Sequence, residues 1–317
     1  MFAPLFGFIS DKYCRKKMLL LVLGCSTFSV PLLDAGWIWP AVLINGVFGN
    51  VAPIARAAYC DVQLIRNKET NVINTFFIQP LPFILLSFSP PLFNEYAVLL
   101  IHIIEVVALL ACLFFFTDQR DKHHGEAIDR FYRHFTRIFF NRMSLRFLLS
   151  FYILNSSWWF STYLVDIYSN EDNVLYYFLA TGLVFLIGTI ICRIYSFLPE
   201  RALPLLTLAV AMFFLSDWLF SSILGGLNVE SSFMHNTMIR GIILPLWYVY
   251  FGLQAKLHEQ GGVFGFMDSI WSLTELTGPL ILMVITIHNI YYLMVPAAIV
   301  SALLVLSIKP HTTSSKA

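Results

Sequence analysis

Several charged residues lie inside long apolar stretches of the sequence, where water cannot stabilise their charge. Those considered for function are Arg56, Glu105, Arg240, Asp268 and Glu275. Ionisable groups in such stretches are costly, so each is a candidate for function by default. A carboxylate such as Glu275 can bind and release a proton, and an arginine such as Arg240 can pair with a carboxylate or bind an anionic group. The structural alternatives are a fixed ion pair, or a long side chain that reaches the polar interface.

The composition indicates what surrounds these residues. The chain has 317 residues, of which 58% are hydrophobic and 12% charged, whereas soluble proteins have roughly 45–50% apolar and about 25% charged residues. The apolar runs are unbroken rather than alternating, which predicts an all-α polytopic membrane protein. The net charge of +1 gives no support for a nucleic-acid partner. The five cysteines form no C-x-x-C pair, so we expect neither a disulfide framework nor a metal site.

The apolar stretches are long enough to be counted as membrane spans. A helix needs about 20 residues to cross the hydrocarbon core of a bilayer. We predict ten full transmembrane helices and one partial N-terminal helix, since Met1–Ser10 has the pattern of a helix whose beginning is missing. The full spans are expected near 18–34, 37–58, 71–93, 96–116, 145–165, 174–194, 202–224, 233–253, 263–287 and 290–308.

The charges of the connectors predict the orientation. Of the 20 Lys and Arg residues, only Arg56 and Arg240 lie inside predicted spans, and the others lie in or beside connectors on one face. By the positive-inside rule that face is cytoplasmic, as in a bacterial-type inner membrane. The short connectors of the opposite face carry only acidic charges: Asp34, Glu95, Asp166, Glu171, Asp172 and Glu230.

The longest polar stretch divides the chain. We expect an incomplete N-terminal bundle at 1–116, a cytoplasmic linker at 117–144, a six-helix C-terminal bundle at 145–308 and a cytoplasmic tail at 309–317. In the linker, Ile128, Phe131, Phe135 and Ile138 recur at helical spacing. This pattern is typical of an amphipathic helix lying on an anionic membrane surface. The alternative is a solvated connector that docks on the bundle.

The first basic connector has a more specific pattern. The segment that begins at Gly7, G-F-I-S-D-K-Y-C-R-K-K, resembles the major facilitator superfamily signature G-x-x-x-D-R/K-x-G-R-R/K, which lies between the second and third helices of a twelve-helix transporter. The matching residues are Gly7, Asp11, Lys12, Arg15 and Lys16. A small residue allows close helix approach, and an aspartate at a helix end can bind basic side chains and face a helix N-terminus. These residues are therefore expected to form a conformational latch; the alternative is a basic cluster that only stops translocation.

Further stretches resemble the same superfamily, especially its proton-driven drug and tetracycline efflux branch. The stretches 46–61, 241–245 and 260–280 resemble its fourth, tenth and eleventh helices. Two features depart from the efflux branch: an arginine expected near Val42 is missing, and Gln79-Pro80-Leu81-Pro82 stands where a glycine-rich motif is expected. By the family pattern, the chain lacks the first helix and half of the second.

The resemblance implies a secondary active transporter that moves a small solute by alternating access, coupled to protons. Two bundles would rock around a site near the bilayer midplane. The resemblance places Glu275, Arg240, Arg56 and Asp268 on cavity-lining helices and Glu105 on a peripheral one. Gln79 and Asn155 are expected to line the cavity. The expected partners are the solute, protons and membrane lipids, with a monomeric chain and no cofactor.

Two other classes of function were compared with this one. A truncated, non-transporting membrane remnant of such a carrier is the main alternative, because the missing first helix normally lines the cavity. A membrane enzyme is disfavoured, because the sequence has no nucleotide-binding loop, no H-E-x-x-H pattern and no cluster of catalytic acids on one loop.

Overall fold

The structure, a computed structural model, describes residues 2–62, 68–81, 90–116, 136–168, 171–195, 199–224, 229–255, 259–284 and 290–307. Within these ranges the regular secondary structure is helical throughout, which confirms the all-α prediction. The helices are α1 (Ala3–Lys12), α2 (Arg15–Asp34), α3 (Ile38–Phe48), α4 (Ala52–Val62), α5 (Lys68–Asn74), α6 (Pro90–Phe115), α7 (Arg142–Tyr168), α8 (Glu171–Tyr195), α9 (Pro199–Leu224), α10 (Val229–Gln254), α11 (Gln260–Val284) and α12 (Ile290–Leu306).

The chain divides into two compact units. The first contains Met1–Phe135 together with Phe251–Leu273, so the beginning of α11 packs with the N-terminal helices. Helix α2 packs against α3 and α6. The core of this packing consists of Met18, Leu19, Val22, Ile54, Ala58 and Cys112. This arrangement positions α1, α2, α4 and the start of α11 around one polar cluster.

The second unit contains Thr136–Tyr250 and Thr274–Ala317. Helix α12 packs against α7 and α9, with a hydrogen bond of 2.6 Å between the hydroxyls of Ser150 and Ser301. Helices α8 and α10 approach closely at Gly188 and Gly241, because a Cβ at either glycine would collide with backbone atoms of the other helix. Small residues and hydroxyl pairs of this kind hold helices together where lipid removes the hydrophobic driving force.

Large apolar side chains remain exposed on both units. Phe28 and Phe115 are exposed in the first unit, and Ile194 and Leu205 in the second. Two stretches of the described chain, Arg15–Asp34 and Ile38–Asp61, are long and apolar enough to span a membrane. An apolar outer surface of this kind matches a hydrocarbon solvent rather than water.

Three predicted helices differ from the structure in detail. The span predicted at 37–58 corresponds to an apolar stretch long enough to cross a membrane, Ile38–Asp61, but it consists of two helices, α3 and α4, with a break at 49–51. Pro53 has no N–H to donate to the carbonyl of Gly49, so the helix cannot continue regularly there. The span predicted at 71–93 is interrupted after α5 by a 3₁₀ turn at Thr75–Phe77 and a turn at Gln79 and Pro80, and its part at 82–89 lies outside the described residues.

The third difference concerns the stretch from Pro90 to Tyr96, which was predicted as an external connector. It is helical and forms the beginning of α6. Proline is well accepted in the first turn of a helix, because the N–H that it lacks would have no partner there. The number of membrane spans stays a prediction, as do the boundaries of the two bundles and the linker.

The predicted amphipathic linker helix lies mainly at 117–135, outside the described residues. Where the description resumes, Ile138 and Phe139 are buried. Asn141 then caps α7, since its side-chain oxygen accepts a hydrogen bond of 2.7 Å from the N–H of Ser144.

Candidate functional site

The carboxylate of Asp11 caps the N-terminus of α11. Its two oxygens accept hydrogen bonds from the backbone N–H groups of Gly261, at 3.0 Å, and Gly262, at 2.7 Å. The first N–H groups of a helix have no partner within the helix, and the helix dipole favours negative charge at this end. Asp11, at the end of α1, therefore binds a segment that lies 250 positions away in the sequence.

Arg15 holds Asp11 in place. Its guanidinium is 1% exposed and lies 2.6 Å from Asp11 Oδ1. It also donates to Asp61 Oδ2 at 2.8 Å and to the hydroxyl of Ser10 at 2.7 Å. The carboxylates of Asp11 and Asp61 offset the cost of burying its positive charge. The arginine therefore stays charged. We call Ser10, Asp11, Arg15, Asp61 and the N–H groups of Gly261 and Gly262 the α11 cap cluster.

Glycines allow this cluster to form. A Cβ at Gly7 would collide with the carbonyl of Gly261, and one at Gly261 would collide with the Arg15 guanidinium. One turn further along α11, a Cβ at Gly265 would collide with the backbone of Ala3. Helices α1 and α11 thus approach with backbone against backbone, which only glycine permits at these positions.

The predicted latch residues do not all join the α11 cap cluster. Asp11 and Arg15 do, and Gly7 allows the close approach of α1 to Gly261. Lys12 is exposed, and its ammonium lies 5.4 Å from the ring centroid of Tyr13. Lys16 donates a hydrogen bond of 2.8 Å to the carbonyl of Leu113, near the C-terminus of α6, where the helix dipole favours a cation.

Arg56 and Asp268, two of the predicted ionisable candidates, form an ion pair. Arg56 on α4 donates to Asp268 Oδ1 on α11 at 2.7 Å, and both side chains are largely buried. The guanidinium also lies 5.0 Å from the ring centroid of Phe76, within the range of a cation–π interaction. This geometry agrees with the structural alternative for both residues, and it adds a second charged contact between α4 and α11 inside the first unit.

Arg240 and Asn155 meet at a cavity in the second unit. The cavity lies between α7, α9 and α10 and has about 320 Å³ of empty space, open mouth included. The Arg240 guanidinium lies 3.5 Å from the ring centroid of Trp158. Trp158 in turn donates through Nε1 to the hydroxyl of Thr237 at 3.2 Å, which fixes the ring. Trp247 lines the same cavity and packs edge-on against Phe151.

The other candidates lie in separate places. Glu275 on α11 is half-buried and interacts electrostatically with Arg240. Glu105 on α6 accepts a hydrogen bond of 2.9 Å from the hydroxyl of Ser26 on α2. Gln79 lies in the turn after the 3₁₀ segment, and its side-chain oxygen has no hydrogen-bond partner in the described part of the chain.

Some residues of these sites were not predicted as such. Ser10, Asp61 and the N–H groups of Gly261 and Gly262 complete the α11 cap cluster, and Trp247 contributes an indole N–H beside the cavity. Asp61 could have been suspected as a member of an ion pair from its place at the end of α4. A carboxylate there has no stabilising interaction with the helix dipole and needs another partner.

Comparisons of the fold with solved structures give a consistent result. The human organic anion transporter MFSD10 (TETRAN) superposes with a TM-score of 0.76 at 16% identity, covering 96% of this chain and 80% of that one. The fold is that of the major facilitator superfamily. The fucose:proton symporter FucP of E. coli follows with a TM-score of 0.66 at 14% identity over 96% of this chain and 85% of its own.

A bacterial homologue of the iron transporter ferroportin, solved in an outward-facing state, has a TM-score of 0.63 at 14% identity, with 96% and 85% of the two chains covered. No family model matches the sequence, and no curated protein sequence matches it. The resemblance expected from the signature is therefore confirmed for the fold, which is shared with major facilitator superfamily structures. The closer likeness to the drug-efflux branch stays a prediction.

Proposed function

We propose that this protein is a secondary active transporter that moves a small solute across a bacterial-type inner membrane by alternating access. The observation that carries the proposal is the α11 cap cluster, in a chain with the major facilitator fold. Asp11 and Arg15 come from the start of the chain, and Gly261 and Gly262 begin a helix near its end. The contacts are hydrogen bonds and ion pairs, which can break and re-form without any covalent change.

The cap cluster has the properties that a reversible latch needs. Its groups are largely buried and paired with one another when closed, which favours one discrete state over intermediate ones. Opening exposes the Asp11 carboxylate, the Arg15 guanidinium and two helix N–H groups, all of which water can solvate at a cytoplasmic surface. The ion pair of Arg56 with Asp268 lies between the same elements, α4 and α11, and would open together with the cluster.

Proton coupling is the finer part of the proposal, and Glu275 is its candidate carrier. Its carboxylate interacts electrostatically with Arg240, so protonation would release the arginine from that interaction. FucP, which shares the fold, is a fucose:proton symporter. We propose that the chain acts as a monomer in contact with membrane lipids, with the solute and protons as its ligands.

Flux in proteoliposomes tests the transporter proposal. The purified protein is reconstituted, and uptake and efflux of a solute panel are measured with and without an imposed pH gradient. We expect at least one solute to move faster than in protein-free vesicles. A protein that folds, as judged by gel filtration and circular dichroism, and moves no solute in either direction would support the non-transporting alternative.

A separate measurement tests the latch. Hydrogen–deuterium exchange of the peptide spanning 259–265 reports on the N–H groups of Gly261 and Gly262, which Asp11 protects. We expect faster exchange in Asp11→Asn than in wild type, because the neutral amide caps a helix dipole less well. Asp34→Asn, at the exposed end of α2, is the matched control. Equal exchange in all three proteins would remove Asp11 from the latch.

A further inference from the structure

Three residues that line the cavity of the second unit carry hydrogen-bond donors. Arg240 carries a guanidinium, Asn155 a side-chain amide and Trp247 an indole N–H. Asn155 is 5% exposed and Trp247 is 3% exposed. Among the described residues, Asn155 Nδ2 and Trp247 Nε1 have no hydrogen-bond partner. Buried donors without acceptors are unfavourable, so a ligand that brings acceptor oxygens would bind here favourably.

The charge of the lining selects the sign of such a ligand. Arg240 is the charged side chain among the described lining residues; the carboxylate of Glu275, which interacts electrostatically with Arg240, is not among them. A guanidinium stays charged at any physiological pH and presents a planar fork of donors that matches a carboxylate or sulfonate. The stacking on Trp158 holds this fork in a fixed plane.

The rest of the lining limits the body of the ligand. Phe151, Leu154, Val210, Ile243 and Leu244 contribute apolar surface. The empty space of about 320 Å³ includes the open mouth, so the enclosed part of the cavity admits only a compact group. A compact apolar or aromatic group fits this space better than a polyhydroxylated one, because these five side chains offer no hydrogen bonds.

We propose that this cavity binds a small organic anion, with its carboxylate or sulfonate at Arg240, Asn155 and Trp247 and its compact apolar body against the aliphatic lining. That this anion is also the transported solute rests on the proposed function. That the cavity binds the anion does not depend on the proposed function.

Equilibrium binding to the purified protein in lipid nanodiscs tests the site. The probes are benzoate, phenylacetate and benzenesulfonate, with benzamide as the neutral analogue of benzoate, measured by isothermal titration calorimetry. We expect the anions to bind and benzamide to bind more weakly by about tenfold, since hydrogen bonds to charged groups are the stronger ones. Absence of binding by all three anions, or equal affinity for benzoate and benzamide, would overturn the proposal.

Two substitutions localise the binding. Trp247→Phe removes the N–H and keeps a ring, and we expect benzoate affinity to fall by about tenfold. Asn155→Asp keeps the size and adds a negative charge, and we expect a larger loss. Trp159→Phe is the matched control, because Trp159 stacks edge-on with Trp158 and is not among the described lining residues; we expect a change within about twofold. Unchanged affinity in both Trp247→Phe and Asn155→Asp would overturn the assignment of the site.

Flux of radiolabelled benzoate in proteoliposomes separates this inference from the proposed function. Anion binding that depends on Asn155 and Trp247 without flux of any solute would reject the transporter and leave the binding site standing. Flux of a neutral solute by a protein that binds none of the three anions would reject the binding site and leave the transporter standing.

Discussion

Loss of the Arg15 guanidinium is the most direct perturbation of the α11 cap cluster. Arg15→Gln removes the ion pairs to Asp11 and Asp61, at 2.6 and 2.8 Å, and the hydrogen bond to Ser10. The two carboxylates then lose their shared cation: the side chain of Asp11 is 4% exposed and that of Asp61 is 14% exposed. Removing one partner of a buried pair costs about 3–5 kcal/mol. Because Asp61 is partly screened by solvent, we expect a loss of about 3 kcal/mol in the free energy of unfolding.

The assay is a double-mutant cycle on the purified protein. Unfolding by SDS in dodecyl maltoside micelles is followed by tryptophan fluorescence for wild type, Arg15→Gln, Asp61→Asn and the double variant. Asp61→Asn removes one of the stranded charges, so we expect the double variant to be more stable than the sum of the single losses by about 1–2 kcal/mol.

Arg146→Gln is the matched control for this cycle. Arg146 also makes two hydrogen bonds, to the carbonyl and the hydroxyl of Ser307, but both are solvent-exposed. We expect its loss to cost less than about 1 kcal/mol. If Arg15→Gln costs no more than Arg146→Gln, or if the losses at Arg15 and Asp61 simply add, the buried ion pairs contribute no net stability and the reasoning is wrong.

Three further perturbations follow from the contacts of the described residues. Gly261→Ala is expected to abolish the protection of the α11 N-terminus in hydrogen exchange, because a Cβ there meets the Arg15 guanidinium. Gly24→Ala is the control: nothing lies within 4 Å of the added Cβ, so this protection should stay unchanged. Exchanging the charges of Arg56 and Asp268 in one double variant should recover thermal stability that each single reversal loses, by about 1–3 kcal/mol; a double variant as unstable as the worse single one would contradict a direct pair. Glu275→Gln should retain solute exchange and lose acceleration by a pH gradient; unchanged acceleration would remove Glu275 from proton coupling.

The helical membrane character could be predicted from the sequence because lipid acts on each segment separately. Every span must be apolar and must satisfy its own backbone, and the cations of its flanks show orientation through local composition alone. The signature around Asp11 was recognisable for a similar reason: its residues are close together in the sequence, at the end of α1 and the start of α2. The candidate ionisable residues were found because a charge in an apolar run is visible without any knowledge of its partner.

The helix boundaries were less predictable where proline and glycine interrupt apolar runs. Apolar residues continue on both sides of the break at 49–51, so composition does not show the break, and the missing N–H of Pro53 decides it. Pro90 lies in another apolar run. Hydropathy predicts a connector at 90–96, but proline is compatible with a first helical turn, and α6 begins at Pro90.

The partners of the charged residues were decided only by the tertiary structure. Arg56 pairs with Asp268 across 212 positions, and Asp11 meets Gly261 across 250. No local pattern relates such residues, since their approach depends on how whole helices pack and on glycines that let two backbones touch. The same holds for the cavity: a tryptophan in a helix is ordinarily core, and only packing shows that Trp247 lines a cavity together with Arg240 and Asn155. The sequence by itself thus determined which segments are apolar and where charges interrupt them, and the packing of the helices determined which of these residues meet.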